Sequence, residues 1–412
     1  MKKVLIVGGG ASGLLAAISA ARAGAAVTLL EHNKQVGKKL LVTGNGRCNL
    51  TNINQDSANY RGSVPNFANQ VLGTFGMHDT LRFFTELGIF TKNRKGCLYP
   101  YSEQASAVVE ALRMEAEHQK VKLALNTEIL DIEHKDHRFF ITTKGWLYEG
   151  DALILAAGSC AAPKTGSDGS GYTYAKKLGH RIVKPLPALV QLRSKDKVFA
   201  QLAGLRMDAK VTILADGEME ARDQGEVQFT DYGLSGIPVF QVSRYAARAM
   251  EDGEEVQARL DLMPVFQTED FAAYLYGRIQ AGGYKTAEQM LVGLFPKKMA
   301  DCLLERAGIP KQKKAETLTG AEREKLVCAC KEFTVDIYAC NGFDQAQVCC
   351  GGVDTSQVDS RTLESILVPG LYFAGEILDV DGACGGYNLQ WAWSSGYVAG
   401  VYAAGSTMHD LR

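Results

Sequence analysis

The 412-residue chain has no excess of charge of either sign. Its 45 Lys and Arg residues are balanced by 46 Asp and Glu residues, which gives a formal net charge of −1 at pH 7. A protein that binds nucleic acid or an anionic membrane through its overall field carries a clear surplus of basic residues. We therefore expect a small-molecule substrate, and neither a nucleic acid nor a membrane as partner. The composition leaves the oligomeric state open.

The chain also lacks an uninterrupted apolar stretch long enough to span a bilayer. The basic pair Lys2-Lys3 and the apolar residues after it resemble the start of a secretory signal peptide. Three features oppose that interpretation: glycines at fixed spacing break the run, the pattern continues into Arg22 and Glu31, and no A-x-A site closes it. The sequence thus predicts a soluble, cytoplasmic protein.

Paired cysteines are a third absence. The ten cysteines form no C-x-x-C motif, and no Cys/His group has zinc spacing, so we predict no metal site. In a cytosolic protein such cysteines are expected to be reduced thiols. Cys349 and Cys350 are adjacent, but a vicinal disulfide is strained, and a redox role for them is the weaker alternative. A disulfide reductase is disfavoured because the loop after Glu31 offers only Cys48.

The first 31 residues contain the strongest positive signal. A short apolar run, Val4 to Val7, precedes Gly8-Gly9-Gly10-Ala11-Ser12-Gly13, which satisfies G-x-G-x-x-G. An Ala-rich helical stretch and a second apolar run follow, and that run ends at Glu31. This order of strand, glycine turn, helix, strand and acid predicts a dinucleotide-binding βαβ unit.

Each part of this unit has a physical role. Gly8 permits the tight turn, Gly10 lets the backbone approach a pyrophosphate, and Gly13 lets the helix pack closely on the strand. The start of the helix offers N–H groups and a positive dipole end to phosphates. Glu31 can accept hydrogen bonds from both ribose hydroxyls, and its charge repels a 2′-phosphate at this position.

Two further segments extend the predicted site. The stretch 37–52 is dense in Gly, Asn, Thr and Arg, which favours a cofactor loop over an ordinary surface turn. Near the C-terminus, a strand from Leu371 ends at Gly375-Glu376, and glycines precede Asn388. In FAD-dependent enzymes such an acid lies at the ribityl chain. The following helix start can stabilise negative charge at the flavin N1 and O2 atoms.

The pattern of strands and helices predicts an α/β fold: a Rossmann-type FAD-binding domain that is split in sequence. We expect this domain over residues 1–190 and 342–412. Between its halves, residues 191–264 and 332–341 predict a β-rich inserted subdomain, and residues 265–331 predict a helical one. The insertion would cover the isoalloxazine and set substrate choice, since ligand pockets are common at domain interfaces.

These motifs resemble the BaiN-like, or YhiN-like, family of FAD-dependent oxidoreductases, also described as aminoacetone oxidase-type flavoproteins. The similarity spans essentially the whole chain. Besides the glycine turn, the segments that carry it are Gly44 to Asn52, Thr165 to Gly169, Phe229 to Gly236, Leu371 to Gly382 and Gly385 to Gln390. Asp231 departs from the family pattern, which usually has His there, so a His-based catalytic role at that position is in doubt.

The resemblance implies flavin contacts at fourteen positions. They are Gly8, Gly10, Ala11, Ser12, Gly13, Glu31, Lys39, Arg47, Cys48, Ile129, Gly375, Glu376, Asn388 and Leu389. At Ile129 the contact would be from the backbone to the adenine. Family members act on different substrates, including aminoacetone and unsaturated 3-oxo bile acids, so the resemblance implies the cofactor but no substrate. No catalytic residue can be named.

The expected function is hydride transfer between FAD and a small organic molecule. Because no second glycine fingerprint follows a strand, NAD(P)H would dock transiently at the flavin as donor, or oxygen would serve as acceptor. The alternative is a flavin-binding redox sensor or accessory protein without turnover, since no His or paired-carboxylate centre is evident.

Overall fold

A computed structural model of the chain describes residues 1–408 and 410. The chain divides into two compact units. The first contains Met1–Leu186 together with Ala346–Arg412, and the second is Pro187–Gln345. The first unit is therefore assembled from two separate parts of the chain, whereas the second is one continuous insertion. Because the insertion forms one unit, its further division into β-rich and helical subdomains stays a prediction.

The N-terminal part alternates strands and helices. Its strands are β1 (Lys3–Val7), β2 (Ala26–Leu30), β3 (Thr51–Asn52), β4 (Tyr60–Arg61), β5 (Thr91–Arg94), β6 (Cys97–Pro100), β7 (Lys122–Ala124), β8 (Ile129–Lys135), β9 (Arg138–Thr143), β10 (Leu147–Gly150), β11 (Ala152–Leu155) and β12 (Ile182–Ala188). Its helices are α1 (Ala11–Arg22), α2 (Phe67–Thr74), α3 (Met77–Glu86), α4 (Ala105–His118) and α5 (Ser170–Lys177).

The inserted unit combines one sheet with a group of helices. Its strands are β13 (Leu192–Arg193), β14 (Arg206–Ala215), β15 (Glu218–Phe229), β16 (Gly233–Ser235), β17 (Val256–Asp261), β18 (Phe333–Ile337) and β19 (Ala339–Cys340). Its helices are α6 (Val198–Leu202), α7 (Ile237–Glu251), α8 (Thr268–Gly282), α9 (Ala287–Leu291), α10 (Lys297–Ala307) and α11 (Gly320–Lys331). These strands form an antiparallel sheet in the order β18-β17-β14-β15-β16-β13-β19, with its own apolar core.

The C-terminal part returns to the first unit. It contributes β20 (Val348–Val353), β21 (Leu371–Phe373), β22 (Asp381–Gly382) and the long helix α12 (Tyr387–Ala403). β21 joins the edge of a five-stranded parallel sheet in the order β21-β11-β1-β2-β7. The sheet therefore needs both parts of the chain, and the α/β fold with an insertion that the sequence predicts is confirmed.

The parallel sheet is buried on both faces. Val4, Leu5, Ile6 and Val7 of β1 are all at most 5% exposed, as expected for a central strand of a parallel sheet that is covered on both faces. Helix α1 contacts β1 and packs against α12 at very short range. A Cβ on Gly396 would lie 2.4 Å from the Ser12 carbonyl oxygen, and one on Gly400 would lie 2.4 Å from that of Ala16.

Smaller sheets complete the first unit. β8, β9 and β10 form an antiparallel meander, β5 and β6 form a hairpin that β3 extends, and β4 pairs with β22. Among the described residues, no helix is both long and apolar enough to cross a membrane. The same residues contain no group of three or more His, Cys, Asp or Glu side chains that could hold a metal ion.

Candidate dinucleotide site

The glycine turn between β1 and α1 has one open position and two crowded ones. Gly8 has φ +103°, and a Cβ there would lie 2.4 Å from the Ala156 carbonyl oxygen. A Cβ on Gly13 would lie 1.9 Å from the Gly8 carbonyl oxygen. Around Gly10, by contrast, a Cβ would meet nothing within 4 Å. Gly8 and Gly13 are thus required by the packing of the protein itself, whereas Gly10 borders space that an approaching ligand can use.

The N-terminus of α1 is available to an anion. The helix begins at Ala11 with Gly10 as N-cap, receives no side-chain cap, and has no acidic residue in its first turn. Ser12 does not cap the helix, because its hydroxyl donates to the Ala374 carbonyl oxygen at 3.3 Å. No side chain of α1 therefore caps its first N–H groups or places a negative charge at its positive dipole end.

Glu31 is fixed at the end of β2 beside the turn. The residue is 7% exposed, and its Oε2 accepts a 2.8 Å hydrogen bond from the Gly9 N–H. Its Oε1 accepts two bonds of 2.7 Å from the backbone and side-chain nitrogens of Asn33. A carboxylate offers roughly four lone pairs, so acceptor capacity for a ribose hydroxyl remains. The Glu31 backbone carbonyl also accepts from Thr127 N–H at 2.9 Å, which brings the segment before Ile129 to this end of the site.

Ile129 itself is the first residue of β8 and lies outside the parallel sheet. Its carbonyl oxygen accepts a 2.9 Å hydrogen bond from the Tyr174 hydroxyl. The predicted backbone contact to adenine must therefore use the N–H of Ile129 or the second lone pair of this carbonyl.

Lys39 and Glu376 meet although they are distant in sequence. The Lys39 ammonium donates to Glu376 Oε2 at 2.7 Å, and Glu376 Oε1 accepts from the Cys349 N–H at 3.3 Å. Next to Glu376, Gly375 has φ +79°, and a Cβ there would lie 2.3 Å from the Ser12 hydroxyl oxygen. The C-terminal end of β21 is thus in contact with the first turn of α1, as the two-part site requires.

Four residues of the loop after β2 have left-handed backbone conformations. Gly44, Asn45, Gly46 and Cys48 have φ values of 56°, 55°, 79° and 58°. The Arg47 Nε donates to the Gly44 carbonyl oxygen at 3.2 Å and so closes the loop on itself. Cys48 is fully buried, and this burial raises the pKa of its thiol to about 12. Any cofactor contact at Cys48 therefore has to come from the backbone.

The loop before α12 is braced by the side chain of Asn388. Its amide nitrogen donates to the Gly382 and Ala383 carbonyl oxygens at 2.8 and 3.3 Å, and its Oδ1 accepts from the Gly382 N–H at 2.8 Å. The Asn388 side chain is thus committed to the loop, which leaves its backbone and that of the half-buried Leu389 for a cofactor.

The fourteen predicted residues all lie in the first unit. Thirteen of them belong to the turn, the end of β2, the loop after β2, the end of β21 or the start of α12 with the loop before it, whereas Ile129 begins β8. Sequence reasoning missed several residues that hold these parts together. Asp379 is fully buried and accepts from the backbone N–H groups of Ser63 and Gly351 at 2.9 and 3.1 Å. The Trp391 indole donates to the Gly375 carbonyl at 3.0 Å. Their partners are far away in sequence, so no local pattern signals them.

Two observations test whether FAD fits this site. The first is the open space at Gly10 beside an uncapped helix N-terminus, which suits a pyrophosphate. The second is a buried acceptor, Asn49 Oδ1, that has no hydrogen-bond partner among the described residues. It lies 2.9 Å from the Cβ position of Gly386, in the loop predicted to meet the isoalloxazine. The residues present therefore fit FAD, while the individual contacts stay predictions.

The comparison with known proteins agrees with this assignment. The model of the HI0933-like protein Rossmann domain matches residues 2–402. The 3-dehydro-bile acid delta(4,6)-reductase of Clostridium scindens is 47% identical over 98% of this chain and 99% of its own. The ribosomal RNA dihydrouridine synthase of Haemophilus influenzae is 31% identical over 96% of this chain and 97% of its own.

Solved structures are more distant. A flavocytochrome c3 fumarate reductase in its open conformation is 16% identical over 98% of this chain and 78% of its own, with a TM-score of 0.47. The family assignment therefore rests on the sequence relatives and the family model. The chain belongs to the HI0933-like family of Rossmann-domain proteins.

Proposed function

We propose that this protein binds FAD and reduces a carbon–carbon double bond conjugated to a carbonyl in a small organic substrate, with NAD(P)H as electron donor. The observation that carries the proposal is the two-part site: a dinucleotide turn at Gly8–Gly13 tied to Glu376 and Lys39 at the predicted ribityl position. Bound FAD would supply the hydride that the reduction needs.

The names of the relatives support this reaction class. A 3-dehydro bile acid with delta(4,6) unsaturation carries double bonds conjugated to its 3-carbonyl group, and a reductase of that name adds hydrogen across them. Dihydrouridine differs from uridine by hydrogen across a ring double bond that is conjugated to a carbonyl. The two names thus share one chemistry, an addition of hydride and proton to an unsaturated carbonyl system, although their substrates differ in size.

The chain's own residues have defined roles in this proposal. Glu31 would hold the adenosine ribose, the N-terminus of α1 would hold the pyrophosphate, and the Lys39–Glu376 pair would hold the ribityl chain. The N-terminus of α12 begins at Tyr387 with Gly386 as N-cap and without a side-chain cap. Its positive dipole end would stabilise negative charge on the pyrimidine side of the flavin.

A small molecule is the proposed substrate. The net charge of −1 provides no overall attraction for a polyanion such as ribosomal RNA, and the relative named for a bile acid is the more similar one. The inserted unit is proposed to select the substrate, because the turn, the loop after β2 and the loop before α12 all lie outside it.

Anaerobic titration tests the proposal. The purified protein should carry FAD, identified by acid release and chromatography, and NADPH or NADH should bleach its absorbance within seconds. Adding a 3-oxo-4,6-diene steroid acid should then restore the oxidised spectrum, while its saturated 3-oxo counterpart, the matched control, should not. Released FMN would contradict the cofactor assignment. A flavin that neither NADPH nor NADH reduces, and that the diene does not reoxidise after reduction by dithionite, would favour a sensor without turnover.

The same titration separates the two relatives' substrates. Ribosomal RNA added to the reduced protein should leave the flavin reduced and should contain no new dihydrouridine by mass spectrometry. If RNA reoxidises the flavin and gains dihydrouridine, and the diene does not reoxidise it, the substrate is RNA. The proposed reaction class would be unchanged.

A further inference from the structure

The hairpin formed by β5 and β6 is a rigid element of the first unit. Its turn is Lys95-Gly96, with φ values of 52° and 93°, as in the two-residue turns that best match the twist of a hairpin. The Asn93 side chain accepts from the Gly96 N–H at 2.8 Å and fixes the turn. The strands pair from Thr91 opposite Pro100 to Arg94 opposite Cys97.

Strand β6 of this hairpin, next to the turn, contacts both loops of the predicted flavin end. β6 pairs with β3, which continues the loop after β2, with Thr51 opposite Leu98. The Asn52 amide donates to the Gly385 carbonyl oxygen at 2.9 Å, in the loop before α12. The Tyr99 ring lies 3.5 Å from the Cβ position of Gly44. The turn half of the hairpin therefore lies next to the predicted isoalloxazine end of the site.

Two large aromatic side chains beside the hairpin are exposed. Phe90 is 72% exposed and Tyr101 is 62% exposed, yet their rings lie together with centroids 5.6 Å apart. The backbone holds them there, because Tyr101 N–H donates to the Phe90 carbonyl at 2.7 Å. A preformed pair of exposed rings contributes little to the core and is typical of a surface that binds a partner.

Four cations lie on the hairpin or next to it. Lys92 Nζ lies 5.2 Å from the centroid of the Tyr101 ring, and both Lys92 and Arg94 form ion pairs with Glu103. Lys95, at the turn, and Arg47, whose guanidinium lies 5.5 Å from the centroid of the Tyr99 ring, form no ion pair within the described part of the chain. The Lys92 ammonium, with help from Arg94 and Arg47, holds the pKa of the Glu103 carboxyl below its usual value.

The charge at this surface is therefore unbalanced. Of the acids in the described part of the chain, only Glu103 lies within ion-pair distance of any of the four cations. The chain as a whole has a net charge of −1, so this surplus of positive charge is specific to the surface. Such a local surplus is typical of an anion site. Exposed aromatic rings next to such cations suit a planar base attached to phosphates.

We propose that this surface, the hairpin patch, docks the reduced nicotinamide dinucleotide; the patch comprises Phe90, Lys92, Arg94, Lys95, Tyr101 and Arg47. The proposal rests on the proposed function, in which such a dinucleotide is the donor. The cations would contact its phosphates and the aromatic pair would stack on one of its bases. Two rings and four cations on or beside one hairpin match a ligand with one or two bases and two or three phosphates. A long RNA would need a wider basic surface.

Binding of the oxidised dinucleotides NADP⁺ and NAD⁺ to the FAD-loaded protein, measured by calorimetry, tests this assignment without turnover. The double variant Arg94→Ala/Lys95→Ala and the single variant Phe90→Ala should each raise the Kd at least about tenfold. Added salt should weaken wild-type binding, because exposed charges are screened. Arg323→Ala is the matched control, since Arg323 lies 5.0 Å from the centroid of the half-exposed Tyr276 ring in the inserted unit. FAD content and far-UV circular dichroism establish that each variant folds.

The outcomes separate this proposal from the proposed function. A wild type that binds a dinucleotide with a Kd unchanged in both patch variants would overturn the patch alone. If the wild type binds neither dinucleotide, both the assignment of the hairpin patch and NAD(P)H as electron donor are wrong. Oxidation of the dithionite-reduced protein by the diene would still support the proposed reaction. RNA binding that the double variant abolishes, with no dinucleotide binding, would assign the patch to RNA and overturn the proposal.

Discussion

Lys39 and Glu376, 337 positions apart in the chain, form a hydrogen-bonded ion pair with 2.7 Å between Lys39 Nζ and Glu376 Oε2. Their side chains are 23% and 19% exposed, so the pair is largely but not completely removed from water. The second oxygen of Glu376 accepts from the Cys349 backbone. The pair thus links the loop after β2 to the end of β21 in the protein alone, at the position predicted for the ribityl chain.

Removing one partner of this pair should weaken FAD binding. Lys39→Met leaves the Glu376 carboxylate partly buried and without its cation, and we expect the Kd for FAD to rise about tenfold, equivalent to about 1.4 kcal/mol. Glu376→Gln in the same background should cost less than it does alone, with a coupling free energy of about 0.5–3 kcal/mol. Lys297→Met, which removes the more exposed Lys297–Glu288 pair, is the control. Strictly additive effects on the Kd would show that the pair does not act as a unit.

Alanine at Gly10 and at Gly13 should have opposite consequences. The Gly13→Ala methyl would lie 1.9 Å from the Gly8 carbonyl oxygen, so the protein without cofactor should lose at least about 1–3 kcal/mol of stability or fail to fold. The Gly10→Ala methyl meets nothing within 4 Å, so that variant should fold with a cost of about 1 kcal/mol or less and lose FAD affinity. Melting temperature without cofactor and FAD titration measure both effects. Full FAD affinity in Gly10→Ala would place the pyrophosphate elsewhere.

His180 should make stability depend on pH. The residue is 3% exposed, its Nε2 lies 2.9 Å from the Ser365 hydroxyl oxygen, and burial lowers the pKa of its imidazole below the usual 6.5. The unfolded chain then binds the His180 proton more tightly than the folded protein does. The contribution of His180 to the free energy of unfolding is therefore present above pH 6.5 and is lost as the pH falls towards the folded-state pKa.

Urea unfolding at pH 7.5 and at pH 5.5 measures this effect. Wild type should lose more free energy of unfolding between these pH values than His180→Gln does, by up to about 1.4 kcal/mol per unit of pKa shift. His78→Gln, at an exposed histidine, should follow wild type at both pH values. An equal loss in wild type and His180→Gln would contradict the linkage.

Thiol reactivity should follow burial. The pKa of the Cys48 thiol and that of the Cys349 thiol are each raised to about 12 by burial, so neither forms a thiolate at pH 8. Cys328 is exposed and should react first with an aromatic disulfide reagent, although Glu332 beside it adds to the increase in its pKa. The fast phase should disappear in Cys328→Ser. Mass-mapped labelling of Cys48 or Cys349 in the folded protein would show that the loop around them opens.

Local patterns in the sequence predicted the nucleotide unit well. The turn at Gly8–Gly13, the strand that ends at Glu31 and the strand from Leu371 depend on residues close together in the chain, and the structure has all three as β1–α1, β2 and β21. The helix expected after the glycines begins at Tyr387, because Gly386, with φ +98°, ends the preceding loop directly before it.

Long-range contacts could not be predicted in the same way. The strand β6, Cys97–Pro100, pairs with Thr91–Arg94 and with Thr51-Asn52. The pairing with β3 joins residues more than 40 positions apart, beyond the range of strand periodicity. Likewise, only the fold shows that the Asn388 side chain is used by the loop at Gly382.

The contact between α1 and α12 has a consequence for how the protein is made. The ribosome releases the N-terminus first, so β1 and α1 emerge long before β21 and α12. β21 completes the edge of the parallel sheet, and α12 packs against α1. The inserted unit is continuous, and its residues emerge together before Val348. We therefore expect the inserted unit to fold first during translation, while the apolar face of α1 is not yet covered by α12. A ribosome that stalls before Gly396 would leave that face uncovered, which makes the nascent nucleotide unit a substrate for chaperones.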